Sequence, residues 1–221
     1  MLKRMSGPLI IGLGGIAILL SLGIWQVQRL AWKQAVLADI EARISAPAVP
    51  LADLATPEKY APVSLTGKTF GPEIHVLVSR KQIGAGYRII TGFETDQGRK
   101  ILLDRGFVKI AAADVPRPPA SLTITGNIHT PDDRSASTPP NDAAKNIWFA
   151  RDIPDMAVAL QTEPLLIIAH SDTGQGVEPM PVGLEGIPND HLQYAITWFS
   201  LALVWLGMTV YQLWRIRTKA A

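Results

Sequence analysis

The sequence predicts a two-helix transmembrane hairpin, formed by the N- and C-terminal helices, enclosing an extracytoplasmic α+β, mainly antiparallel β domain built as a small barrel or sandwich. Three observations predict it. Two apolar blocks free of Asp, Glu, Lys and Arg stand near the chain ends, Met5 to Gln28 and His191 to Trp214. Lys and Arg crowd the far flank of the second block and are missing from its near flank. Between the blocks, short β-rich runs are divided by Gly, Pro and Asp turns. The expected division is a transmembrane helix over 1–28, a periplasmic mainly-β domain over 29–190, a second transmembrane helix over 191–214 and a cytoplasmic basic tail over 215–221.

The first block extends, as a helix, to roughly 36 Å at about 1.5 Å per residue, enough to cross a bilayer. Lys3 and Arg4 precede it, as they would in a signal peptide. The apolar run from Leu9 to Trp25 is longer than a signal core, and no small-x-small cleavage site follows, so an uncleaved anchor is expected. Arg29 to Ala46 has neither Gly nor Pro, so the helix continues or restarts there until Pro47 and Pro50 stop it. The second block ends in Arg215, Arg217 and Lys219, whereas Ser171 to Asp190 holds Asp172, Glu178, Glu185 and Asp190 and no cation. This bias puts both termini in the cytoplasm and the central domain in the periplasm or, for a mitochondrial source, the intermembrane space.

In the central domain Val63–Gly67 and Ile74–Ser79 read as strands around a Gly71-Pro72 turn, a hairpin or meander. Tyr87–Thr95 and Lys100–Ile110 flank Asp96-Gln97-Gly98-Arg99, a hairpin turn composition. Ser121–His129 is a further strand. The polar, Pro-rich stretch from Thr130 to Lys145 has too few apolar groups to pack and is expected to be an exposed loop. Asn146–Ala150 is a short apolar run, Ile153–Leu160 a short helix, and Pro164–Ala169 a buried strand.

Cysteine is absent, which excludes disulfides and thiolate chemistry. A net charge of +2 with mixed signs shows no nucleic-acid footprint. Nucleophile-elbow, zinc-helix and phosphate-loop motifs are missing and the four histidines are dispersed, so no enzyme is expected. Asp104-Arg105-Gly106 and Arg151-Asp152 read as solvated turns or ion pairs, and Gly12-Leu-Gly-Gly as a helix-packing patch.

The most informative residues lie at the outer ends of the helices. Trp25, Arg29 and Trp32 share one helical face, with a cation between two indoles. Two readings stay open: an interfacial aromatic belt with a snorkelling Arg, or a face that meets the second helix or a ligand carboxylate. His191, Tyr194, Ala195 and Trp198 share a face of the second helix, whose N–H groups Asp190 is placed to cap. His191 is either an axial ligand for haem iron or an interfacial histidine that only hydrogen-bonds.

GIWQVQRLAWK, LLDRGFVKI and PNDHLQYAITWF together resemble the Surfeit locus protein 1 family, assembly factors for haem-copper cytochrome c oxidase. The likeness spans the whole chain. Phe107 stands where the family usually has Trp, and Asp190 where it often has Asn. The resemblance implies haem a binding and its insertion into oxidase subunit I, with haem a synthase a further partner and the bacterial inner membrane the location. It implies His191 as iron ligand, Tyr194 and Trp198 lining the site, and Trp25, Gln26 and Arg29 facing it from the first helix. The alternative is a membrane-anchored assembly scaffold that binds no haem; a membrane-anchored hydrolase lacks any visible nucleophile or acid.

Overall fold

The computed structural model describes residues 2–185 and 187–219, with the side chains of residues 2–4 left out of the account. The chain divides into two compact units, one made of Met1–Asp39 with Leu184–Ala221 and one of Ile40–Gly183.

The first unit is helical. Helix α1 runs unbroken over Leu2–Ile44, a length of about 64 Å at 1.5 Å per residue. That is roughly twice the thickness of a hydrocarbon core, so the apolar block and the Arg29–Ala46 segment form one rod, ending before Pro47. Both α1 and the C-terminal helix over His191–Thr218 are long and apolar enough to cross a membrane. The large apolar residues Ile10 and Leu203 each stay 70% exposed, which water would penalise and lipid would not. The helices touch along a stripe of small residues. The Trp205 indole Nε1–H donates to the Gly12 carbonyl at 3.2 Å. A Cβ at Gly12 would meet Thr209, one at Gly15 the Trp205 indole, and one at Gly23 the Phe199 ring. The packing expected of Gly12 and Gly15 is therefore present, while Gly14 faces open space.

The second unit is a mixed sheet. Its strands are β1 (Val49–Pro50), β2 (Pro62–Arg80), β3 (Gly84–Thr95), β4 (Lys100–Lys109), β5 (Ser121–His129) and β6 (Leu166–Ala169), ordered β1-β2-β3-β4-β6-β5 with β2 also paired to β5. That last pairing closes β2 to β6 into a ring, with β1 as an extra partner of β2, so the barrel alternative describes it. The expectation of a mainly antiparallel sheet needs one correction: β1 pairs β2 and β6 pairs β4 in parallel. The long path from β4 to β6, through β5 and helix α2 (Ile153–Leu160), supplies the crossover that parallel pairing requires.

The Gly71-Pro72 turn is a second correction. Both expected strands belong to the single strand β2, and the register against β3 shifts between Phe70 and Ile74. Gly71, at φ +73°, absorbs a bulge there instead of reversing the chain. The turn between β3 and β4 is as expected, with Gly98 at φ +81°. Inside the ring, Val63, Leu65, Phe93, Ile101, Leu103, Ile124, Ile128 and Ile167 form one core. On the outer face, Met156, Ala157 and Leu160 of α2, with Trp148, cover Ile74, Val76, Ile90, Leu102, Leu166 and Ile168. Strands β4 and β6 are thus covered on both sides, which is why they read as continuous apolar runs. Within this unit, which includes Ile40–Ile44 at the end of α1, the Asn127 Nδ2–H2 donates to the carbonyls of Ile44 and Tyr60, each at 3.1 Å.

The stretch from 130 to 145 is exposed but not loose, because polar bonds do what apolar packing cannot. Asp133 receives Arg151 through Nε at 2.6 Å and Nη2 at 2.9 Å. Asp152 receives Arg134 and, at 2.6 Å, the Asn141 amide.

Candidate functional site

The C-terminal helix, α3, begins at His191 after Pro188, Asn189 and Asp190. Asp190 does not cap it with its side chain: its backbone lies near the helical basin (ψ 8°), and its contribution is the carbonyl that accepts Tyr194 N–H at 3.1 Å. Asn189 Oδ1, beside it, is buried with no hydrogen-bond partner.

His191 is half-buried and its Nδ1 lies 2.8 Å from Oε1 of Gln26 on α1. Gln26 is only 8% exposed, one of few polar groups buried in the helix pair. Ala195, one turn along α3, is buried on the same side, and Trp198 is half-buried. The four-residue face expected on α3 is therefore divided. His191, Ala195 and Trp198 lie toward α1, but Tyr194 is 54% exposed and turned outward. On α1 the expected sandwich of Arg29 between two indoles does not form. The Arg29 guanidinium sits over Trp32 at 4.3 Å, whereas Trp25 is 51% exposed and, among the described residues, has no ring partner. The geometry is simple: Trp25 is one residue, about 100°, from Gln26, so only one of them can face α3. A separate cleft of about 300 Å³, lined by Gly7, Pro8, Ile11, Gly12, Trp205, Met208, Thr209 and Gln212, lies at the other end of the helix pair.

Gln26 was expected at this face only from the family resemblance, without its bond. The signal was a primary amide in an otherwise apolar run, which must find a partner when buried. The charged motifs of the barrel resolve differently. A bulge between β3 and β4 sets Ile89 opposite Gly106 and Ile90 opposite Asp104, leaving Arg105 as the extra residue. Asp104 accepts Arg88 Nε–H at 2.7 Å and Gly106 N–H at 3.1 Å, and Arg151 stands at 3.6 Å. Arg105 is 1% exposed; it donates to Gln175 Oε1 at 2.8 Å and lies 3.6 Å from Glu73, which also meets Arg117 at 2.9 Å. Asp104 and Arg105 form buried ion pairs, whereas Arg151 and Asp152 form ion pairs nearer the surface, with Asp133 and Arg134.

These networks set their own ionisation. Burial pushes the Glu73 carboxyl up, but the His75 hydrogen bond and the charges of Arg117 and Arg105 outweigh it and hold the group below the usual carboxylate range. Asp133 is lowered in the same way, burial being overcome by its bonds to Arg151. Burial lowers Arg88 and Arg105, with Asp104 and Glu73 opposing. Burial, with Arg151 and Lys59 nearby, brings His129 down to about 4. The charged members of these networks each face a partner, so the networks fasten the barrel, while among the described residues His191 makes its hydrogen bond through Nδ1.

The SURF1 family model matches residues 13–203. The chain is 31% identical over 202 residues to the SURF1-like protein of Rickettsia felis, covering 84% of this chain and 88% of that protein. It is 32% identical over 211 residues to Surfeit locus protein 1 of Xenopus tropicalis, covering 82% and 67%, and 30% identical over 219 residues to the SURF1-like protein of Rickettsia conorii, covering 92% and 89%. Matched from the first apolar helix through the barrel into the second, the chain belongs to the SURF1 family.

Proposed function

We propose that this protein is a non-enzymatic assembly factor for haem-copper cytochrome c oxidase that binds haem a and assists its insertion into subunit I. The SURF1 family is linked to cytochrome oxidase assembly; haem a, subunit I and haem a synthase as partners are our reading. One observation carries it: the histidine at the head of α3 is held through Nδ1, and Nε2 is left for a ligand.

The residues fit such a group. A haem bound here would need from the protein an iron ligand, apolar walls and a donor for its propionates. His191 would hold the iron, Trp198 would lie beside the macrocycle and Arg29 would meet a propionate, whereas Trp25 and Tyr194 face outward from this pair. Among the described residues no group of three or more His, Cys, Asp or Glu gathers, as a bare ion would need. When bound, haem a supplies a redox-active iron; this chain holds the cargo by its ring and carboxylates. Both termini lie in the cytoplasm of a bacterium, the helices form a hairpin across its inner membrane, and the barrel stands in the periplasm.

The competing scaffold without haem draws on the outward Trp25 and Tyr194, which lie apart from the His191–Gln26 pair. Complementation separates the two. A deletion strain loses oxidase activity, the wild-type gene restores it, and His191→Ala restores a small part of it. Unchanged oxidase activity after deletion would remove the assembly role. Full rescue by His191→Ala would leave the scaffold.

A further inference from the structure

We infer that Gln26 is a positioning residue: its side-chain carbonyl keeps His191 in the Nδ1–H tautomer and so leaves Nε2 as the lone-pair nitrogen offered to iron. The inference rests on the proposed role of His191 and concerns how that role is made possible.

A neutral imidazole carries one proton on either nitrogen, and the hydrogen bond made by one nitrogen selects which. Here Nδ1 lies 2.8 Å from Gln26 Oε1. A carbonyl oxygen only accepts, so Nδ1 holds the proton and Nε2 keeps its lone pair. Were the amide turned about, its NH2 would donate to Nδ1, the proton would move to Nε2, and no lone pair would remain for a metal. The bond also fixes the ring plane, since Nε2 must then point away from α1. Gln26 is suited to the task by its burial: 8% exposed in an apolar helix, its amide has no other partner among the described residues, so release would strand a polar group in an apolar setting. This is the outer-shell arrangement by which proteins orient a metal-ligating histidine. A side chain that merely packed α1 on α3 would have no reason to be an amide, because Gly12, Gly15 and Gly23 already provide that fit.

The test uses the full chain, purified without haem in detergent, with 15N-histidine, the His191 ring signals being identified by their loss in His191→Ala. We expect the Nδ1–H form in the wild type and in Gln26→Glu, whose carboxylate also accepts, and a shift toward the Nε2–H form in Gln26→Leu. An Nε2–H ring in the wild type, or an unchanged ring in Gln26→Leu, overturns the inference. Titration with haem a then gives a loss of affinity of about ten- to a hundredfold for Gln26→Leu, and a lower reduction potential for Gln26→Glu, whose charge makes the ligand more basic. Equal affinity in wild type and Gln26→Leu overturns the positioning role. Wild-type protein that binds no haem a overturns the reading of His191 as an iron ligand, while the nitrogen signals still decide what Gln26 does.

Discussion

Asp104 sits fully buried in the middle of a β-strand, where an unpaired carboxylate would be intolerable. Arg88, Arg151 and the Gly106 N–H make it tolerable. Removing the carboxylate leaves the buried Arg88 guanidinium without its anionic partner, while Arg151 keeps Asp133, so Asp104→Ala should lower stability by about 3–5 kcal/mol, and Asp104→Asn by less, in urea unfolding of the detergent-solubilised chain. His129 makes a pH prediction. The unfolded chain takes a proton near pH 6.5, but the folded one only near pH 4. A folded value below the unfolded one means stability is full above pH 6.5 and is lost as pH falls toward 4. The melting temperature should therefore drop across that window in the wild type and drop less in His129→Gln; equal slopes would discount the histidine. These features were partly legible. LLDRGF showed charges within an apolar run, but which partners would gather around them depended on a bulge and on residues up to 70 positions away, invisible to local pattern.

Elements whose identity rests on local chemistry came through well. Ser121–His129 and Ile153–Leu160 fold as the strand and helix their composition implies, because a β-branched run and an amphipathic turn each bury one side against the sheet. Gly71-Pro72 misled because a glycine at positive φ serves a bulge as readily as a turn, and only pairing with β3 decides between them. The contact between the helices has a built-in control. Gly23→Leu would drive a side chain into the Phe199 ring, whereas Gly14 has nothing within 4 Å of an added Cβ. Thermal unfolding followed by tryptophan emission should show Gly23→Leu destabilised by about 1–3 kcal/mol and Gly14→Leu unharmed. Similar melting of the two variants would argue against close packing at Gly23.

For the whole molecule, the two helices long and apolar enough to cross a membrane were legible because lipid imposes a length and an absence of charge. The candidate site residues were named only as a set. Helical phase then separated them, since Gln26 and Trp25 cannot face α3 together. Orientation is open to direct test because the chain has no cysteine. A single cysteine at Ser135 should react with a membrane-impermeant maleimide in intact cells, and one at Lys219 only after lysis; the reverse would invert the topology. The central claim, that the helix ends hold haem a through His191, is tested most directly by the visible spectrum of the full chain purified from cells that make haem a. The account predicts a haem a band in the wild type that is lost in His191→Ala; no band in the wild type, or an undiminished band in the variant, would contradict it.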